Sequence, residues 1–138
     1  MSRILASLAV AVFTVAAPLS AESAAPMDSL ELGRKATDWF YVGQTDSLWD
    51  HVSDTTDWNS RSDFATRTKG MLQDLVERAG FEDSLISEEF VKRNGQTQYW
   101  RTARFQSIDE PVMLRWVVVG GRIGGIGMNL AKDAPARD

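Results

Sequence analysis

Cysteine is absent from this 138-residue chain, and histidine occurs once. Without cysteine there is no disulfide framework, so a packed core must stabilise the fold. A single histidine with scattered carboxylates has no ligand spacing for zinc or iron, and we predict neither a metal site nor a cofactor. The net charge is −4, which argues against nucleic acid or an anionic membrane surface as a partner.

Long apolar runs are also scarce, and the longest stands at the N-terminus. Arg3 precedes the uncharged run Ile4–Ala17, and Pro18 and small residues follow it. This order is typical of a secretory signal peptide, and the run is shorter than the roughly 20 residues of a membrane span. We therefore predict a signal peptide at 1–21, a periplasmic or secreted protein, and no transmembrane span after signal removal. An uncleaved N-terminal anchor is the alternative.

The first half of the remaining chain has helical patterns. Residues 22–27 are small and aperiodic, which predicts a flexible lead-in. Asp28 then has the position of a helix N-cap, and apolar residues recur at helical spacing after it. A second, short helix is predicted at 45–52 with Thr45 as its cap. A third, long helix is predicted to begin after Ser60 and to end before Gly80.

The second half alternates apolar and polar residues, which is typical of strands. The Asn-Gly pair at 94–95 and the Gly-Gly pair at 120–121 predict tight hairpin turns between strands. We predict an α+β domain over 28–130, with about three N-terminal helices followed by a four-stranded antiparallel curved sheet. The apolar face of the sheet is expected to pack on the long third helix, and the tail 131–138 is expected to be frayed.

Three phrases of the chain resemble the nuclear-transport-factor-2-like (cystatin-superfamily) cone: Trp39–Ser53, Tyr99–Val119 and Gly121–Asn129. Within that superfamily the chain is similar to uncharacterised bacterial exported domains often found ahead of secreted serine hydrolases. The resemblance covers roughly residues 30–129 and implies a cone-like fold. It also implies an accessory role toward an exported hydrolase, acting in trans, and it carries no catalytic signature. Ile126-Gly127 departs from the family pattern, where an aromatic pair is usual.

The glycines between Gly120 and Gly127 have the composition of a phosphate-binding loop but not its context. A Walker-type loop needs a lysine and a hydroxyl residue at its end, and a dinucleotide loop needs a following helix. Neither follows these glycines. They predict instead a hairpin turn and a strand that bends or is closely approached by another element.

His51 is the catalytic candidate. A histidine beside a carboxylate can act as a general base near neutral pH. Some dehydratases and isomerases of the cone fold use His or Asp inside the cone, so a small enzyme with His51 or a buried Asp as base is the alternative function. The commoner interpretation is a solvated histidine at the end of the second helix, where the helix dipole favours its charge.

A second group of candidates is a ligand pocket formed by aromatic and basic side chains between the first helix and the sheet. Its predicted members are Trp39, Trp100, Trp116, Arg101 and Arg115. The alternative is that the aromatic residues pack the core and that the arginines pair across an exposed sheet face. The carboxylates considered as partners are Glu88, Glu89 and Asp109.

These observations favour an exported, non-catalytic binding or accessory domain. The concave sheet face is expected to take a small apolar ligand or a protein partner. The candidate protein partners are an exported hydrolase in trans and a second copy of the chain, which would form a homodimer through the sheet.

Overall fold

The computed structural model describes residues 24–54 and 58–138. The predicted signal peptide at 1–21 and residues 22–23 of the lead-in lie outside the described residues. The described chain has three α-helices followed by an antiparallel sheet of order β1-β2-β3-β4, which confirms the predicted α+β class. The elements are α1 Ser29–Tyr41, α2 Thr45–Asp50, α3 Arg61–Ala79, β1 Glu82–Arg93, β2 Gln96–Phe105, β3 Ile108–Val119, β4 Arg122–Leu130 and the 3-10 turn η1 Ala131–Asp133. No helix in the described ranges is long and apolar enough to span a membrane.

The helix boundaries follow local capping chemistry. The Asp28 carboxylate accepts hydrogen bonds from two first-turn amides of α1, and the Ser60 hydroxyl accepts one from the first turn of α3. Gly80 ends α3 with a positive φ of 76°, as predicted. In α2 the predicted cap is wrong by one residue, because Gln44 holds the N-cap position and Thr45 is already helical.

Both predicted hairpin turns are confirmed. Asn94 and Gly95 have φ of 53° and 74°, and Gly120 and Gly121 have φ of 57° and 73°. Two consecutive left-handed residues match the right-handed twist of the strands that they connect. Each turn therefore depends on residue types that tolerate a positive φ.

We expect Gly121→Ala to be more destabilising than Gly120→Ala. Either substitution places a side chain at positive φ, which costs about 1–2 kcal/mol. A Cβ at Gly121 would also lie 2.8 Å from the Met27 carbonyl oxygen and 2.9 Å from Pro26 Cβ, whereas a Cβ at Gly120 meets nothing within 4 Å. Urea unfolding of both variants measures the difference. Equal losses would contradict the contact between the lead-in and this turn.

The predicted flexible lead-in is tied to the domain over its described residues. The Met27 amide donates to the Gly121 carbonyl at 3.1 Å, and the Ala24 amide donates to the Asp50 carbonyl at 3.0 Å. Arg122 Nη2 donates to the Ala24 carbonyl at 2.6 Å. The local composition of the lead-in did not indicate these contacts, because the partners lie far away in sequence.

A short parallel bridge ends α2 earlier than predicted. The Ser53 amide donates to the Ile123 carbonyl at 2.8 Å, and the Ile123 amide donates to the His51 carbonyl at 2.7 Å. The chain after Asp50 thus leaves the helix and pairs in parallel with the beginning of β4. This pairing places His51 inside the domain.

The sheet packs on α1 at its centre, and α3 contributes to the same core. On one face of the sheet Tyr99 and Trp116 are 0% exposed, and Phe40 of α1 lies edge-on to Trp116 with 6.1 Å between ring centroids. From α3, Phe64 and Leu75 join this cluster. The expectation that the long third helix covers the apolar face is therefore incomplete. We call this side the helix-facing face and the opposite side the outer face.

The tail predicted to be frayed is held against the outer face. Residues 131–133 form η1, and residues 136–138 make hydrogen bonds to the β1–β2 hairpin. The prediction failed because a polar, proline-containing composition does not reveal partners in a distant hairpin.

Candidate functional site

The five residues of the predicted pocket do not meet in one place. Trp116 and Arg101 lie on the helix-facing face, where Trp39 also packs against the core, whereas Trp100 and Arg115 lie on the outer face. Successive strand residues point to opposite faces, so the neighbours 100 and 101 cannot line the same cavity, and neither can 115 and 116. The predicted pocket is therefore divided between the two faces.

Trp116 is part of a filled interior. Its indole Nε1 donates to Thr37 Oγ1 at 3.1 Å, and the Thr37 hydroxyl donates to the Gly33 carbonyl at 2.8 Å. Thr37 is 1% exposed, so this polar chain is buried and satisfied. Trp116 thus connects α1 to the sheet through this hydrogen bond, and its buried ring does not line an open cavity.

His51 is buried, which corrects the prediction of a solvated histidine. It is 8% exposed, and its ring lies 4.7 Å from the Trp39 ring, centroid to centroid. Its Nδ1 is 2.8 Å from the Ser47 carbonyl oxygen. The bridge to Ile123 draws this segment under Trp39, and the short helix alone does not reveal that contact.

The carboxylates near His51 have other partners or remain exposed. Arg61 holds Asp50 at 2.9 Å and Asp46 at 3.3 Å, and Asp54 is exposed. In the described ranges no group of three or more His, Cys, Asp or Glu side chains is arranged to hold a metal ion. The surroundings of His51 are thus those of a packed residue.

The position of the Arg115 side chain accounts for the glycine at position 127 of β4. Its guanidinium lies over Gly127, where an added Cβ would collide with it, and its Nε donates to Asn129 Oδ1 at 3.3 Å. Burial against the strand lowers the pKa of Arg115. Gly124 and Gly125 leave similar room for the side chains of β3. The prediction that these glycines permit close approach is confirmed.

A network of ionisable side chains lies where α1 meets β1 and β2. Its members are Arg34, Tyr41, Glu82, Glu88, Tyr99 and Arg101. Arg101 Nη2 donates to Glu82 Oε1 at 2.6 Å, and the Tyr99 hydroxyl donates to Glu88 Oε2 at 2.6 Å. Arg34 of α1 pairs with Glu88.

The partner of Arg101 is Glu82, which is none of the three carboxylates considered from the sequence. Glu88 is directly opposite Arg101 in the β1–β2 register, yet Glu88 is engaged by Arg34 and Tyr99. Arg101 therefore pairs with Glu82, which is the first residue of β1. The approach of α1 decides this choice, and strand register alone does not.

The pKa values of Glu88, Tyr99, Tyr41 and Arg101 are shifted away from the neutral range. The hydrogen bond from Arg34, followed by that from Tyr99, lowers the pKa of Glu88 from 4.5 to about 2. Burial and the hydrogen bond to Glu88 raise the pKa of Tyr99 to about 12. Burial and the contact with Glu82 raise the pKa of Tyr41 further still. Burial opposes the charge of Arg101, but its bonds to Glu82 and Tyr99 raise its pKa overall.

These shifts oppose acid–base catalysis by the network near neutral pH. A general acid or base works best when its pKa is close to the working pH. Here the carboxylate of Glu88 stays charged and the two phenols stay protonated. The network consists of paired opposite charges, and the Arg34–Glu88 pair connects α1 to the sheet.

Large apolar side chains are exposed beside this network, on strand β1. Leu85 and Phe90 are each 46% exposed, and Ile86 is 47% exposed. Because of a register irregularity between Leu85 and Ser87, the side chains of Leu85 and Phe90 lie on the same face of the sheet. Their cross-strand partners on β2 are Ala103 and Tyr99, respectively. We call Leu85, Ile86 and Phe90 the β1 shelf.

Sequence reasoning identified β1 as a strand but did not identify the shelf. The bulge at Ile86 breaks simple alternation, so the apolar residues of β1 do not predict a single face. The adjacent apolar pair Leu85-Ile86 was the available signal. Whether α1 covered these side chains was decided only by tertiary packing.

Two clefts run between α3 and β4. The larger measures about 330 Å³, with Trp58, Arg67 and Met71 on one side and Gly125 and Ile126 on the other. The smaller measures about 180 Å³ and is mainly apolar. The residues lining the smaller cleft include Leu75, Ala79, Ile108, Val112, Met128 and Leu130. The clefts offer space for a small apolar group at the rim of the core.

No protein-family model, curated protein or solved structure matches this chain. The candidate sites are therefore weighed on their geometry and chemistry alone.

Proposed function

We propose that this protein is an exported, non-catalytic binding domain that docks a protein partner on the β1 shelf. The observation that carries the proposal is the exposure of Leu85, Ile86 and Phe90 at nearly half of their surface. Exposed large apolar side chains flanked by polar groups are typical of interaction sites, and here Glu88 lies between Leu85 and Phe90 on β1. Export rests on the predicted signal peptide at 1–21.

The filled interior supports binding at the surface. Trp116, Tyr99 and Phe40 are each 0% exposed and occupy the space beneath α1. The alternative isomerase or dehydratase gains no support from His51, which packs on Trp39 and lies against the Ser47 carbonyl. A base for such an enzyme would need access to a substrate that this packing does not provide.

The partner that we propose is a second copy of the chain. The ionic groups beside the shelf are already neutralised within one molecule, with Arg34 on Glu88 and Arg101 on Glu82. Two copies can therefore bring their shelves together without placing an unpaired charge of this network in the contact. A two-fold interface also needs only one self-complementary patch.

A small apolar ligand is the second candidate for the binding function. The apolar lining of the cleft beside Leu75 and Met128 favours it. The volume of about 180 Å³ lies below the roughly 300–1,000 Å³ that drug-sized ligands occupy. This cleft therefore suits at most a short aliphatic group. The larger cleft, of about 330 Å³, lies at the low end of that range and has the charged Arg67 on its wall, so an apolar ligand ranks second.

We expect the double variant Leu85→Asp/Phe90→Asp to abolish self-association. Sedimentation velocity over a range of protein concentrations should show the wild type as a dimer. Two buried anchors are lost and two charges are placed in the contact, so dimer affinity should fall about a hundredfold or more. Val119→Asp is the matched control, because Val119 is also apolar and exposed but lies at the far end of β3.

The outcomes separate the candidate partners. A wild type that stays monomeric at every concentration would contradict the second-copy proposal and leave the shelf to another protein, such as an exported hydrolase. A dimer that survives the double variant would show that a different surface is the interface. Unchanged far- and near-ultraviolet circular dichroism spectra of both variants would show that folding is preserved, whereas the melting temperature of the double variant should fall because dimer formation no longer stabilises the folded state.

A further inference from the structure

The outer face of the β1–β2 hairpin holds an arginine and an aspartate from the chain's own tail. The Arg137 guanidinium carbon lies 4.9 Å from the centroid of the Trp100 ring. The same guanidinium makes a two-pronged contact with Glu89, with Nη2 to Oε1 at 2.5 Å and Nη1 to Oε2 at 3.2 Å. The cation is thus recognised by an aromatic face and by a carboxylate together.

The aromatic part of this site is held in a fixed orientation. The Trp100 indole donates to Gln98 Oε1 at 2.8 Å, and both residues are buried, at 2% and 3% exposure. Val91 and Met113 form an apolar cluster with Trp100 on this face. The ring therefore does not need to reorganise in order to stack against a guanidinium.

The hairpin turn provides the matching site for an anion. The amides of Asn94 and Gly95 donate to the two carboxylate oxygens of Asp138, at 2.6 Å and 2.8 Å. Both turn residues have positive φ, which directs consecutive N–H groups to one point. These two hydrogen bonds lower the pKa of Asp138, so it stays charged near neutral pH.

The hairpin also forms hydrogen bonds with the backbone of the tail. The Asp138 amide donates to the Lys92 carbonyl at 3.0 Å, and Arg93 Nε donates to the Ala136 carbonyl at 3.2 Å. The hairpin therefore contacts the cation, the anion and the backbone of residues 136 and 138. A site with this many directed contacts has a defined chemical preference for its ligand.

We propose that this outer-face site, formed by Glu89, Trp100 and the turn amides of Asn94 and Gly95, recognises a peptide in which arginine is followed by aspartate. Arg137 and Asp138 occupy the site within the chain, and an equivalent segment of another protein can replace them. The site lies on the face opposite the β1 shelf, so the proposal does not depend on the partner of the shelf.

The exposure of the contacts makes such replacement feasible. The side chains of Arg137 and Glu89 are 54% and 44% exposed. Solvent-exposed ion pairs and cation–π contacts of this kind are individually weak. The tail is held mainly because it is tethered close to the site, and a partner segment with additional contacts can compete with it.

The test uses the full chain with the double substitution R137A/D138A, which vacates the site. The probe is the peptide Ala-Pro-Ala-Arg-Asp with both ends blocked, followed by ¹⁵N-resolved NMR. We expect saturable shifts of the Asn94 and Gly95 amides and of the Trp100 indole, with a dissociation constant in the millimolar range.

The same peptide with lysine in place of arginine should bind about tenfold more weakly, because lysine lacks the planar two-pronged contact. Adding E89Q to the double variant should weaken binding of the arginine peptide by about two- to fivefold, because the ion pair is exposed.

The wild type supplies a second measurement that needs no variant. The same arginine peptide should move the Arg137 and Asp138 amide signals toward those of a free tail, at concentrations about tenfold higher because the tethered tail competes. Absence of saturable shifts in both proteins would overturn the proposal. Equal binding of the arginine and lysine peptides would also overturn it, since that result would indicate attraction by charge alone.

Discussion

The Gly33→Val variant is expected to lose about 3 kcal/mol or more of its unfolding free energy, because a side chain at this position has no room. A Cβ on Gly33 would lie 2.5 Å from Tyr99 Cγ and 2.7 Å from Tyr99 Cδ1. The Tyr99 ring is fully buried, and its hydroxyl is bonded to Glu88. Relief of the clash would therefore have to move α1 away from the sheet or break the ionic network.

Gly70 provides a matched control within a helix. A Cβ at Gly70, in the middle of α3, meets nothing within 4 Å. Because glycine is a poor helix former, Gly70→Ala should stabilise the protein by about 0.5–1 kcal/mol. Urea unfolding monitored by tryptophan fluorescence measures both variants. A Gly33→Val protein as stable as the wild type would contradict the close contact between α1 and β2.

The Trp116→Ala variant is expected to lose about 3–5 kcal/mol, which is a large share of the stability of a small domain. Trp116 is fully buried between α1 and the sheet, and its indole supplies the hydrogen bond to Thr37. Removal of the ring leaves an apolar void and removes the bond that ties α1 to β3. Calorimetric or denaturant unfolding gives the loss directly.

Trp116→Phe separates the two contributions. Phenylalanine keeps most of the aromatic volume beside Phe40 but cannot donate to Thr37, so a loss of about 1–2 kcal/mol is expected. A Trp116→Ala protein within about 1 kcal/mol of the wild type would mean that the ring does not fill the interior. That result would favour an interior ligand over a partner docked on the β1 shelf.

The two stability predictions bear on function because they test where binding can occur. If α1 is closely packed on β2 and β3, the helix-facing centre has no space for a substrate or ligand. Binding must then use surfaces that α1 leaves uncovered. The β1 shelf and the outer-face hairpin site are the surfaces to which the described contacts point.

Several features of the fold were determined by the sequence alone because they depend on the conformational preference of one or two residues. Asp28 and Ser60 begin α1 and α3, since their side chains satisfy free amides of the first turn. The Asn-Gly and Gly-Gly pairs turn the hairpins, because these residues accept positive φ. With the change from helical to alternating periodicity, these signals suffice to predict an α+β chain.

The candidate sites were decided by tertiary structure because each depends on which distant element reaches a side chain first. Arg34 on α1 takes Glu88 and leaves Arg101 to Glu82. The bridge to Ile123 buries His51, and the tail places Arg137 over Trp100. Leu85 and Phe90 of β1 remain exposed, whereas α1 packs on β3 and buries Trp116. Local patterns specify backbone geometry, whereas burial and pairing follow from contacts between residues far apart in the chain.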